Sequence, residues 1–176
     1  MEVLMVKRCP VLAFALALFL MVGSTFLFAG DDVIKHRSCP YCGMDREKFS
    51  HSRMLIVYDD GTEDGLCSLH CAAVNLAIHI DKTPKAIYVG DYNTGKLIDA
   101  EQAFWVVGGN KPGVMTTRAK WAFKEKTDVE LFIQKEGGVA ASFDDAVKAA
   151  YEDIYGDTKM IRERRKMKRM QIEKKG

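Results

Sequence analysis

The chain has 176 residues, of which 48% are hydrophobic and 28% charged; this leaves room for one compact domain or two very small units sharing a core, and excludes both a large multidomain enzyme and wholesale disorder. The formal net charge of +2 hides a division, because residues 159–176 carry nine Lys or Arg against two Glu and residues 31–158 alone sum to −6. A folded part that is acidic offers no basic face to nucleic acid, and that class of partner is excluded.

In chain order, Lys7 and Arg8 precede an almost uninterrupted apolar run over residues 11–28, and Gly30, Asp31 and Asp32 follow it. This is the pattern of a secretory signal, and the run is also just long enough to span a bilayer as an uncleaved anchor. Residues 1–30 therefore read as signal peptide or membrane anchor, which places the remainder in the periplasm or on the outer face of the cytoplasmic membrane. Cys9 lies before the run and no Cys directly follows it, so no lipoprotein attachment site is read. Residues 31–38 are polar and aperiodic, the pattern of a short linker.

Residues 53–58 (RMLIVY) form an apolar, β-branched run ended by Asp60-Gly61, a strand closed by a turn, and residues 62–67 can return as its partner. Ser68 is placed to cap a helix carrying Leu69, Ala72, Ala73, Leu76 and Ile80 at helical spacing, and residues 86–92 read as a further strand. Residues 39–92 thus make a ββαβ unit. A similar order recurs over residues 93–150, with strands at 102–107 and 121–123, a helix at 128–135 stopped by Gly137-Gly138, an extended segment at 139–143 and a final helix over 143–155. The expected fold class is α+β, with two small antiparallel sheets each carrying a helix on one face. Residues 151–176 read as a basic tail, a solvated helical or frayed end in preference to a segment lying on anionic lipid.

Four of the five cysteines fall as Cys39-x2-Cys42 and Cys67-x3-Cys71. Two close pairs brought together by a hairpin assemble soft thiolates around one ion, because each short spacing lets both sulfurs face one point. In Cys39-Pro40-Tyr41-Cys42-Gly43 the glycine permits the tight turn of a metal-binding knuckle, and Cys67 and Cys71 lie four residues apart at the start of the expected helix. Three other readings of these residues stay open. In an oxidising compartment four Cys also suit two disulfides. CPYC followed by Thr83-Pro84 suits a thiol–disulfide oxidoreductase, although residues 43–48 lack the apolar helix face that such a site requires. A structural Zn2+ on four thiolates would use every Cys of the set and leave Met44 aside. Met44 weighs toward Cu(I), since a thioether is a poor ligand for Zn2+ and a good one for Cu(I); Cu(I) is the leading metal and zinc the alternative. His51 is a candidate imidazole ligand, whereas His70 is expected to point off the cysteine face into solvent. Met54, Met160, Met167 and Met170 fit core or tail positions.

The segments YVGDYNTGKLIDAEQAFWVVGG, GVM and KWAFKEKTDVELFIQKEGG, with CPYCGM and DDG upstream, give residues 39–145 a pattern that resembles the NosL family of copper-binding accessory proteins of nitrous oxide reductase maturation. The resemblance implies two ββα-type units similar in topology to organomercurial lyase, and a Cu(I) site in which a Cys-x-Met motif, here Cys42 and Met44, supplies two ligands. It also implies a further methionine in a Gly-Pro-Met-Gly-like segment, which corresponds to Met115 of Pro112-Gly113-Val114-Met115. The implied role is a non-enzymatic copper chaperone serving an extracytoplasmic cuproenzyme or another copper-transfer partner, with membrane association through the N-terminal segment. Two features depart from the family pattern. The lipoprotein cysteine typical of members is missing, and Cys67-Ser68-Leu69-His70-Cys71 resembles the Cys pair of the TRASH and YHS heavy-metal-binding domains. The metal-ligand set read from the sequence is therefore Cys42 and Met44, then Cys39, Cys67, Cys71, Met115 and His51. The alternatives are a thiol–disulfide or mercury-directed enzyme using Cys39 and Cys42, and a structural or sensory zinc module.

Overall fold

Strand β1 (Met54–Tyr58) is apolar at every position and almost wholly buried, as a strand covered on both faces must be. It lies between antiparallel partners β2 (Glu63–Leu66) and β3 (Pro84–Gly90), and a short strand β4 (Leu97–Asp99) extends the sheet to the order β2-β1-β3-β4. The β1–β2 hairpin turns on Asp60, whose Oδ1 accepts from the Thr62 amide at 2.8 Å, and on Gly61 at φ +80°, a conformation open to glycine without a steric cost. The structure, a computed structural model, describes residues 31–174; the expected signal or anchor segment, residues 1–30, lies outside them. No helix among the described residues is long and apolar enough to cross a membrane.

The second sheet repeats the plan. Strand β5 (Phe104–Val107) is central between β6 (Lys120–Phe123) and β7 (Val139–Ala141), in the order β6-β5-β7. Each sheet thus pairs the first strand of its unit with the two that follow, and each has a helix in the same place in the order: α2 (Leu69–Ile78) between β2 and β3, and α3 (Lys126–Glu136) between β6 and β7. The two sheets join where Asp91 bridges to Ala122 and the Tyr92 amide donates to the Ala122 carbonyl at 2.8 Å. One core runs through both units, from Met54, Ile56 and Leu66 to Trp105, Trp121 and Phe123. Each such side chain contributes roughly 1.5–3 kcal/mol by burial. The α+β class with antiparallel sheets holds.

Two local expectations change, and one short strand carries no signal in the sequence. Residues 31–38 are not an aperiodic linker, since Asp31–Lys35 form helix α1 and Asp32 is buried. Its carboxylate meets two arginines 14 and 21 positions downstream, and no local pattern shows such a contact. Strand β4 has only three residues, too few to reveal a period. The final helix does not end at Tyr155: α4 runs from Phe143 to Glu173, opened by a capping box in which Ser142 and Asp145 bond reciprocally. Its basic end is a continuous, exposed helix.

Candidate metal centre

The knuckle at residues 39–44 is closed by its own backbone. The Cys39 amide donates to Met44 O at 2.9 Å and the Gly43 amide to Cys39 O at 2.8 Å, with Gly43 at φ +76°. Two residues on, Arg46 is fully buried and fastens the knuckle to the sheet. Its guanidinium donates to the carbonyls of Leu66 at 3.1 Å, Asp32 at 2.9 Å, His36 at 2.6 Å and Met54 at 2.9 Å, and it pairs with Asp32 Oδ2 at 2.8 Å. Arg53 grips the same carboxylate from the other side at 2.8 and 3.0 Å. Burial acts to raise the Asp32 pKa, but Arg53 and Arg46 together hold it below the usual carboxylate value. Gly65 makes room for this arrangement, because a Cβ there would lie 2.4 Å from His36 Cβ and 2.7 Å from the Arg46 guanidinium carbon.

Cys67 follows directly on β2, and Cys71 sits in the first turn of α2. Ser68 occupies the N-cap position but caps no amide; its hydroxyl lies 3.8 Å from Cys67 Sγ. These elements bring all four thiols to the knuckle, with the Sγ atoms of Cys39, Cys42, Cys67 and Cys71 within 4.8 Å of one another. Cys42 and Cys67 are 3.3 Å apart, and Cys67 and Cys71 3.6 Å. All four are free cysteines. Metal–thiolate bonds of about 2.3 Å in a tetrahedron put sulfurs about 3.8 Å apart, so the quartet has the size of a four-sulfur metal site.

Electrostatics point the same way. Hydrogen bonds from Cys42, Cys67 and Cys71 pull the Cys39 thiol down. At Cys42 the contact with Cys39 acts upward and those with Cys67 and Cys71 bring it below its ordinary value. Cys67 is pushed up by Cys39 and Cys42, and Cys71 by Cys39, Cys42 and Cys67. Neighbouring thiols this close cannot all carry charge without a cation among them.

Cys39, Cys67 and Cys71 are buried, whereas Cys42 is only half-buried. Its open side faces a pocket also lined by Met44, His51, Met115 and Met160, with Arg164 and Arg165 at the rim. Met115 is the single non-glycine residue with positive φ among the described residues, at +62°. That backbone costs roughly 1–3 kcal/mol and tends to occur where a side chain must be aimed. His51 is set among aromatic rings, 5.5 Å from Trp121, 6.0 Å from Tyr92 and 6.3 Å from Phe49. Burial lowers its pKa, which leaves a neutral imidazole able to bind metal without first losing a proton.

The sequence candidates thus fall into two groups that share Cys42. Cys39, Cys67 and Cys71 stand with it in the thiol quartet, and Met44, Met115 and His51 stand with it around the pocket. Two histidine and methionine assignments change. His70 is buried rather than exposed, with Nδ1 3.2 Å from Asp157 Oδ2, because α4 packs over the face of α2 that a lone helix would leave wet. Met160, assigned to the core or tail, lines the pocket; the contact joins residues more than a hundred positions apart, and only its residue type could have hinted at it.

The family model for NosL matches residues 32–151. Among solved structures, the crystal structure of the copper chaperone NosL from Shewanella denitrificans is similar, with a TM-score of 0.52 and 25% identity over 61% of this chain and 87% of that one. No curated relative matches. Residues 152–173 of α4 lie beyond the stretch that the family model matches.

Proposed function

The chain belongs to the NosL family, and from that premise we propose that it is an extracytoplasmic Cu(I) carrier that passes the ion by ligand exchange to a cuproenzyme such as nitrous oxide reductase, or to another copper-transfer partner. The observation that carries this reading is the position of Cys42, which belongs to the thiol quartet and also lines the methionine–histidine pocket. Thiolates give the affinity, and neutral thioethers at Met44 and Met115 offer Cu(I) soft donors that can be exchanged one at a time without adding charge. Support for the location comes from Lys7, Arg8 and the apolar run after them.

Anaerobic titration of the reduced protein is expected to saturate near one Cu(I), and loaded protein to activate a copper-free recipient enzyme faster than an equal amount of free Cu(I). Saturation far from one ion, or no transfer above the free-ion rate, contradicts the reading.

The sulfur spacings also support a second reading, a resident Zn2+ on the four thiolates, which fit its tetrahedral preference. Under that reading protein purified anaerobically holds one Zn2+, and Met44→Leu leaves zinc content unchanged.

A further inference from the structure

We propose that Met160 is a further Cu(I) ligand, supplied by the part of helix α4 that lies beyond the family match, and that this helix closes the pocket over Cys42. The inference rests on the Cu(I) reading above. Met160 and Ile161 are half-covered, while every described residue after them in α4 is exposed, so the helix stops being covered at the pocket it lines.

The helix is fixed on both sides of this position. One turn earlier Asp157, buried, accepts from the Thr117 amide at 3.1 Å and lies 3.2 Å from His70 Nδ1. Those contacts tie the helix to the neighbours of Met115 and Cys71. One turn later, Arg165 Nη2 donates to Cys42 O at 3.3 Å. Residues three and four apart share a helix face, so Asp157, Met160, Ile161 and Arg164 form one stripe turned toward the site.

Chemistry selects the ion. Met44, Met115 and Met160 line the pocket beside Cys42 as neutral thioethers, soft donors that suit Cu(I) and from which Zn2+ gains little. A methionine here merely filling space would be replaceable by leucine at no cost in metal binding.

The test compares wild type, Met160→Leu and Met170→Leu, the last an exposed methionine on the same helix, all labelled with selenomethionine and loaded with Cu(I) anaerobically. Met160→Leu is expected to melt with the wild type, to weaken Cu(I) about tenfold in chelator competition and to lose one copper–selenium neighbour in X-ray absorption; Met170→Leu should change neither. Equal affinity and an equal selenium count in wild type and Met160→Leu would overturn the assignment while leaving the carrier reading intact. Failure of the wild type itself to bind Cu(I) would remove both.

Discussion

The thiol quartet behind Cys42 and the pocket in front of it are built from different materials. Behind, three buried cysteines stand on a knuckle, a strand end and a helix start, the first two braced by a fully buried arginine that bonds four carbonyls and one carboxylate. In front, the wall is assembled from separate segments, namely the knuckle, the loop carrying His51, the loop carrying a strained Met115, and α4. A rigid, charged, buried face suits tight capture, and a half-open face of neutral donors suits hand-over. The contrast teaches that holding and releasing one soft ion can be divided between the two sides of a single sulfur.

The largest expected effect comes from breaking the brace. Arg46→Ala leaves Asp32 facing only Arg53 and four carbonyls short of a donor, and removing one partner of a buried ion pair costs about 3–5 kcal/mol. Urea unfolding of the metal-free protein should show that loss, whereas His51→Leu, on the pocket side, should cost less than about 1.5 kcal/mol. Similar losses in the two variants would erase the difference in rigidity.

Next is Cys71→Ser, which removes a buried thiol from the capture face; Cu(I) affinity by chelator competition should fall about a hundredfold. Met44→Leu, on the exchange face, should lower Cu(I) affinity about tenfold and leave Zn2+ affinity unchanged, since Zn2+ gains little from a thioether. A Zn2+ loss as large as the Cu(I) loss would show Met44 acting through structure instead.

The smallest effect is in pH. The folded pKa of Asp32 is lowered, so its contribution to stability is complete above the unfolded carboxylate value of about 3.9 and is lost as pH falls through the lower folded value. Denaturant midpoints should therefore be flat from neutral pH to about pH 5 and decline below about pH 4. Asp32→Asn should be less stable at neutral pH and decline less steeply; an equal slope would take the brace out of the acid response.

How much of this was legible in the sequence follows the range of the contacts. Strand β1, helices α2 and α3 and the glycine stops write their period or turn signal into neighbouring residues, and they stand within a few positions of where the pattern puts them. The gathering of Cys39, Cys42, Cys67 and Cys71 was legible too, since two short spacings on a hairpin leave few other arrangements. What stayed hidden depends on distant partners. Asp32 looks like linker until Arg46 and Arg53 surround it, His70 looks exposed until Asp157 arrives, and Met160 looks like tail until α4 continues unbroken past Tyr155.

Cu(I) chelator competition on wild type and Cys42→Ala, with both proteins shown to melt alike, tests the shared role of Cys42 most directly. Trp121, whose ring lies 5.5 Å from His51, supplies a fluorescence signal from the pocket side. A sulfur common to both faces predicts that Cys42→Ala loses high-affinity Cu(I) and that its Trp121 signal no longer responds to the metal. Undiminished affinity with the wild-type fluorescence response in Cys42→Ala would contradict it.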